Sequence, residues 1–372
     1  MRMLSSRSAG TLLLLFRGCI AALPLFSWNT VPVFWHAANS SGPFSDAAVD
    51  FIARSGFASA TLEKSQGLDG PGNTTTFAEE RILAAARQLK TANADLPVVA
   101  YFNSVLNWPY YRLAASLAMH PSWALQNVSG HPVLLHGDPS FPQPPEGMDV
   151  FDFSQTVVQA WFATACSNLT ATGALDGCFE DRAGEEGFPG ITPATAAAYA
   201  RGHDAVLRSL QAAVGTNDFI IANNYALPGI RATMLESFNA SEGAIEELQA
   251  LVAAGFIVQA HAGYTADGAD NHCASVVNSL AAFLIGAGEG SYFACSRDWQ
   301  IDPEWPAPGH ASDWMTWHPE YSRPLGTPTG PGQRSAAGIW TRAFALGTQV
   351  EFDAHSGIGT ITWAHALNST GV

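Results

Sequence analysis

Leu175-Asp176-Gly177-Cys178-Phe179-Glu180-Asp181-Arg182 is a short run of strand length that ends in carboxylates. Within Ala174 to Asp181 it reads as a buried β-strand that delivers acidic side chains to its C-terminal end. Met234-Leu235-Glu236-Ser237-Phe238, inside the apolar run Ala232 to Phe238, repeats the pattern with one carboxylate.

Working outward from these two runs, six more segments have strand character: Val31 to His36, Phe57 to Glu63, Leu96 to Asn103, Asp218 to Tyr225, Phe256 to Gly263 and Ser291 to Ser296. Helical periodicity occupies most intervals, over Asp46 to Ser55, Phe77 to Thr91, Gln155 to Ala171, Pro193 to Val214, Ser241 to Ala254 and Asp270 to Ile285. Thr76 as N-cap with Glu79 closing a capping box predicts the second start, and Thr192-Pro193 as N-cap and N1 predicts a later one. Only a short link separates strands five and six, so the fifth helix is expected to be missing or reduced. Eight strands with helical crossovers predict an α/β fold of the (β/α)8 TIM-barrel type. A doubly wound open sheet is the alternative, but its Gly-rich first turn is lacking.

Two further regions depart from the alternation. Ser104 to Asp152 is a long excursion rich in Pro, Trp, Tyr and His, of a length that is usually functional. Ile339 to Phe344, Thr348 to Phe352 and Gly359 to Trp363 are strand-like and predict a small C-terminal β appendage. The expected organisation is a signal peptide over 1–27, a barrel over 28–325 and an appendage over 326–372.

The chain has 372 residues, 47% of them hydrophobic and 13% charged, which argues against disorder and against a coiled coil. A net charge of −15 argues against nucleic acid or an anionic membrane surface as partner. Arg2 and Arg7 before the apolar stretches Thr11 to Phe16 and Cys19 to Phe26 resemble a secretory leader, although Arg17 interrupts the apolar core. Asn-x-Ser/Thr sequons at Asn39, Asn73, Asn127, Asn168, Asn239 and Asn368 favour the same route. Cys19 would leave with the leader. The remaining four cysteines can pair in three ways. Cys166–Cys178 and Cys273–Cys295, each joining a helix to the next strand, are favoured, with buried free thiols as the alternative.

Barrel chemistry is built at the C-terminal ends of the strands. Those positions hold Trp35 and His36, Glu63, Asn103, Glu180 and Asp181, Asn223 and Asn224, Glu236, His261 and Tyr264, and Trp299 near the last strand. Glu180 and Asp181 are adjacent, so alternation sends them to opposite sides. If Cys178 reaches outward to a helix, Glu180 follows it and Asp181 faces the barrel axis. Structural alternatives remain for each carboxylate: an ion pair to Arg182 or an N-cap for Asp181, an ion pair to Arg231 for Glu236, and one to Lys64 for Glu63. Glu236 lies between Met234 and Phe238, surroundings that raise a carboxyl pKa as a general acid requires. Trp35, Trp299 and the Trp and Tyr residues of the excursion are candidate platforms for a sugar ring, with packing as their alternative. No metal-ligand spacing and no Gly-x-Ser-x-Gly elbow is found, so no metal or cofactor is expected.

Val150-Phe151-Asp152-Phe153-Ser154, Asp176 to Asp181, Glu236, Arg323-Pro324-Leu325-Gly326-Thr327-Pro328 and Thr341-Arg342-Ala343-Phe344 occur in an order that resembles the glycosyl-hydrolase-like (β/α)8 superfamily. That superfamily is distantly similar to α-galactosidase-type barrels. The resemblance implies a strand-four Asp as nucleophile and a strand-six carboxylate as acid/base, places that Asp181 and Glu236 match. Strand six carries Glu where those barrels carry Asp. The implied activity is cleavage of an O-glycosidic bond in a polysaccharide or glycan, with retention. The partner would be a carbohydrate, and a carbohydrate-binding barrel without turnover is the alternative.

Overall fold

The computed structural model describes residues 26–37, 44–59, 77–137, 143–216, 218–263, 272–296 and 316–364. Residues 1–25 of the expected leader, Asn39, Glu63, Asn73, Tyr264, Trp299 and Asn368 lie outside the described residues.

Eight parallel strands make the centre: β1 Phe34–His36, β2 Phe57–Ser59, β3 Val99–Asn103, β4 Gly177–Asp181, β5 Phe219–Asn223, β6 Ala232–Phe238, β7 Ile257–Ala262 and β8 Ser291–Cys295. β3 to β8 form one six-stranded sheet in chain order, and β1 pairs with β2. A parallel bridge between Val33 and Phe293 joins the entry of β1 to β8, while β2 lies beside β3. Strands β3, β5, β7 and β8 are buried at every position, as in parallel sheets covered on both faces. Gly177 opens β4 for a steric reason. A Cβ there would lie 1.9 Å from the carbonyl oxygen of Phe219 on β5.

Helices α1 Asp46–Ile52, α2 Ala78–Ala92, α3 Arg112–Met119, α4 Thr156–Thr170, α5 Pro193–Val214, α6 Glu242–Ala253 and α7 Val276–Gly286 flank the strands. Residues 224–231, between β5 and β6, hold no helix. Local chemistry sets several starts. Ser45, Thr192 and Ser241 each accept a backbone N–H from the first turn of α1, α5 and α6. The start of α2 differs from the sequence expectation by one residue. Phe77 is the N-cap, and Glu80 rather than Glu79 accepts its N–H, at 2.9 Å. Glu79 turns inward and accepts the N–H of Arg112 at the start of α3.

The excursion after β3 is not an open loop. It holds α3, a 3-10 turn at Pro121–Trp123 and a two-residue antiparallel ladder, Leu134–Leu135 with Met148–Asp149. Its aromatic residues Trp108, Tyr110 and Tyr111 belong to the main hydrophobic core.

The last described region is a four-stranded antiparallel sheet: β9 Gln333–Arg334, β10 Ile339–Ala343, β11 Gln349–Asp353 and β12 Ile358–Thr362. Trp340, Val350 and Phe352 pack with α6, α7, β7 and β8 in a second core. This explains why α7 is apolar on nearly all sides: the barrel covers one face and this sheet another. The Arg342 guanidinium donates to the carbonyls of Leu284 (2.8 Å), Ile285 and Ala287, satisfying the open C-terminal carbonyls of α7. Among the described residues no helix is long and apolar enough to cross a membrane.

Candidate active site

β4, β5 and β6 bring the two candidate carboxylates to the same end of the parallel sheet. Asp181, the last residue of β4, has both oxygens engaged as acceptors. Oδ2 receives the Tyr101 hydroxyl at 2.7 Å and the Asn103 amide at 3.1 Å, both from neighbouring β3. Oδ1 receives the Asn223 amide at 3.0 Å and the Arg182 backbone N–H at 2.8 Å. Asn103 is held in that orientation because its oxygen accepts the N–H groups of Val105 and Leu106. Behind the strand, Ser104 donates its hydroxyl to the Asp181 carbonyl at 2.7 Å and sits 3.0 Å from Nε2 of buried His203 on α5. That geometry makes the imidazole the donor to Ser104. Burial lowers the pKa of His203 to about 4, which keeps it neutral.

Glu236 stands at an irregularity in β6. Leu235 faces Ala260 and Phe238 faces Ala262, so Glu236 and Ser237 together oppose His261 as a β-bulge. Such a bulge re-aims a side chain beside a site. Glu236 Oε2 accepts the Asn223 amide at 2.8 Å and the Asn224 amide at 3.2 Å. Burial raises the Glu236 pKa to about 7, with the neighbouring charge of Asp181 acting in the same direction and the two amides opposing it. One nitrogen, Nδ2 of Asn223, thus donates to both carboxyl groups. The two accepting oxygens, 3.0 and 2.8 Å from it, cannot be more than about 5.8 Å apart.

The backbone just beyond the strand ends is strained at two points. Arg182 and Asn224, immediately after Asp181 and Asn223, have φ values of 56° and 51°. This left-handed conformation is tolerated by Asn and costs more for Arg, and such residues concentrate at functional sites. At Arg182 it accompanies the N–H bond to Asp181. At Asn224 it accompanies a two-point grip on Glu236, with Oδ1 accepting the Glu236 N–H at 2.9 Å.

His36 and His261 complete the mouth. His36 packs edge-on against Phe179, ring centroids 5.0 Å apart, and burial followed by the charge of His261 lowers its pKa well below the ordinary value. His261 lies 2.9 Å from the Ser296 hydroxyl, and burial lowers its pKa to about 3. Both rings are therefore neutral hydrogen-bonding groups near neutral pH.

Asp181, Glu236, Asn103, Asn223, Asn224, His36 and His261 are thus gathered at one end of the strands. Trp35 is a correction. It is 2% exposed and packs edge-on against Phe51 of α1, on the opposite side of β1 from His36. Trp108, Tyr110 and Tyr111 are buried, with Tyr111 donating its hydroxyl to the Tyr101 carbonyl, and Trp123 packs against His120 and Trp161. These rings serve packing rather than a sugar platform. Tyr101, which donates to Asp181, is the member of this cluster that the sequence did not single out. It lies two positions before Asn103, and strand period 2 places both on one face.

The alternative ion pairs are also resolved. Arg182 pairs with Glu185 at 3.5 Å, and Arg231 donates to the Thr216 carbonyl rather than to Glu236. Glu180 is fully buried on the outer face, and among the described residues neither of its oxygens has a hydrogen-bond partner. Burial, then the charge of Asp181, raises its pKa well above the carboxylate range. Cys166–Cys178 and Cys273–Cys295 are both disulfides, with Cα separations of 6.1 and 5.7 Å. They suit an oxidising compartment. Of the described sequons, Asn168 and Asn239 are exposed and Asn127 is half-buried in a turn. No group of three or more His, Cys, Asp or Glu side chains among the described residues is placed to hold a metal ion.

A parallel α/β chain with two carboxyl groups joined through one amide at its strand ends defines the class. The family model described as "Hypothetical glycosyl hydrolase family 15" (GHL15) matches residues 90–348, and the chain belongs to that family. No curated protein sequence matches it. Among solved structures, it is similar to a cyclic alpha-maltosyl-(1→6)-maltose hydrolase from Arthrobacter globiformis. The TM-score is 0.49 and the identity 14%, over 92% of this chain and 93% of that one. An alpha-N-acetylgalactosaminidase from Bifidobacterium bifidum gives a TM-score of 0.49 and 12% identity, over 91% of this chain and 58% of that one. A GH36 alpha-galactosidase from Geobacillus stearothermophilus gives 0.47 and 12%, over 87% and 47%. The chain therefore spans about half the length of the last two.

Proposed function

We propose that this chain is a retaining glycoside hydrolase that uses Asp181 as nucleophile and Glu236 as acid/base on a glycan or polysaccharide. The observation that carries the reading is the shared Asn223 amide, which limits the separation of the accepting oxygens to about 5.8 Å. Retaining enzymes hold their carboxyl groups about 5–5.5 Å apart, whereas inverting ones leave roughly 6.5–9.5 Å for a water. Asp181 attacks the anomeric carbon as Glu236 passes its proton to the leaving oxygen, giving a glycosyl–enzyme ester. Glu236, now a carboxylate, takes a proton from the water that hydrolyses the ester. A Glu236 pKa near 7 suits both halves of that cycle. Asn103, Asn223, Asn224, His36 and His261 offer donors and acceptors for sugar hydroxyls, and Glu63, Tyr264 and Trp299 complete the proposed substrate-binding set.

The architecture in this reading is an eight-stranded barrel over 28–325 without its fifth crossover helix, and a β appendage over 326–372. The leader over 1–27, the two disulfides and the sequons support passage through the secretory lumen and N-glycosylation at one or more of Asn39, Asn73, Asn127, Asn168, Asn239 and Asn368. The test is hydrolysis of a glycan panel by wild type, Asp181→Asn and Glu236→Gln, with the anomeric configuration of the first product followed by NMR. Loss of turnover in both folded variants and a retained anomer are expected. Full activity in both variants overturns the assignment, and an inverted anomer overturns the nucleophile role of Asp181. Glycan binding by all three proteins with no turnover by any favours a binding barrel.

A further inference from the structure

A cavity of about 300 Å³ lies on the outer side of β6, between the strand end and the first turns of α6. It is at the lower end of the range for ligand sites, about 300–1,000 Å³. Asn224 lines it, and the same Asn224 amide donates to Glu236 Oε2 at 3.2 Å. Ser237 and Glu247 add a hydroxyl and a carboxylate at its edge, while Phe238 and Ala244 supply an apolar wall. That mixture matches a sugar ring, with hydroxyls at its rim and apolar C–H faces. Residues 224–231, which begin with Asn224, form no helix between β5 and β6.

We propose that this cavity is the subsite for the leaving-group sugar, so that the enzyme acts on oligosaccharide or polysaccharide chains with a sugar on the leaving side. The inference rests on the reading of Glu236 as general acid. A general acid must touch the leaving oxygen, so the departing unit lies on the Glu236 side of the scissile bond. Asn224 both lines the cavity and donates to Glu236, so the cavity adjoins the carboxyl group read as the acid.

Gly243, in the first turn of α6, also lines the cavity, and a Cβ built on it meets nothing within 4 Å. Gly243→Phe therefore adds a ring at the cavity wall with no clash at its Cβ. The test compares wild type and Gly243→Phe on trisaccharides of glucose, galactose and N-acetylhexosamine and on the matching 4-nitrophenyl monosaccharides. Gly243→Phe should lower the trisaccharide to aryl-glycoside ratio of kcat/KM at least tenfold. An unchanged ratio overturns the proposal. A second arm measures trisaccharide binding to Glu236→Gln with and without Gly243→Phe, which separates this proposal from the catalytic reading. If wild type turns over nothing, the acid role of Glu236 falls, and at least tenfold weaker binding in the double variant still supports the cavity as a sugar site. Equal binding, or no trisaccharide binding, overturns it. Binding that appears only after enzymatic removal of a glycan at adjacent Asn239 overturns it too, because the cavity then serves the protein's own glycan.

Discussion

Asp181 and Glu180 are neighbours on β4 with the same functional group and opposite surroundings. Asp181 lies on the opposite face of β4 from Cys178 and accepts four hydrogen bonds. Glu180 faces the helix layer and accepts none among the described residues. Cys178 marks the outer face by its disulfide to Cys166 on α4, and strand alternation assigns the rest. The difference shows that two adjacent carboxylates of one sequence motif can meet opposite surroundings, with hydrogen-bond donors supplied to one face of the strand only.

The strongest way to break this comparison is to substitute both residues. Asp181→Asn should lower kcat on a cleavable glycoside by on the order of 10⁴-fold or more, the scale expected for loss of a nucleophile. Glu180→Gln should change it by less than about threefold, because Glu180 touches neither the lumen nor Glu236. Comparable losses in both, measured on folded protein, would remove the distinction.

Asn223→Ala separates the bridging amide from the carboxyl groups it serves. The loss of alignment should cost roughly 10²-fold in kcat/KM. Its effect on pH dependence has a definite sign. With Glu236 as the proposed general acid, kcat/KM should fall as pH rises through about 7. The Asn223 hydrogen bond favours the ionised form, so its removal should move that alkaline limb to higher pH. A limb that stays in place, or moves down, contradicts the assignment of Glu236.

The outer face can be tested through stability. Cys166→Ser with Cys178→Ser should destabilise the protein by about 2–4 kcal/mol, read by denaturant unfolding. Peptide mapping without reduction should find Cys166, Cys178, Cys273 and Cys295 protected from alkylation. Glu180 gives the smallest effect. Its folded pKa is raised, so its stabilisation is complete below the unfolded carboxyl pKa and is lost as pH rises toward the folded value. Glu180→Gln cannot ionise. It should raise Tm by roughly 2–4 °C at pH 8 and by less at pH 5. An equal shift at both pH values would mean that the folded pKa of Glu180 is not raised above its unfolded value.

Much of the fold was legible because its signals are local. Thr192-Pro193 marked the start of α5, and the apolar runs marked β4, β6 and β7 within a few residues. The start of α2 moved by one position, because Glu79 is recruited by Arg112, 33 residues away. The excursion after β3 misled for a similar reason. Its Trp and Tyr residues suggested a binding surface, yet α3 and the short ladder fold them into the core.

The placement of Asp181 and Glu236 near strand ends was legible from sequence, since strand period and a terminal carboxylate are properties of a single segment. Four decisions needed the tertiary structure: the outward turn of Trp35, the Tyr101 hydroxyl on Asp181, the bulge at Glu236 and the Asn223 amide shared by two carboxyl groups. Each depends on register between strands or on a helix packed against one of them. A chain read one segment at a time carries the period of each strand but not its height relative to its neighbours, and at this site the relative height of β3, β4, β5 and β6 sets which groups meet.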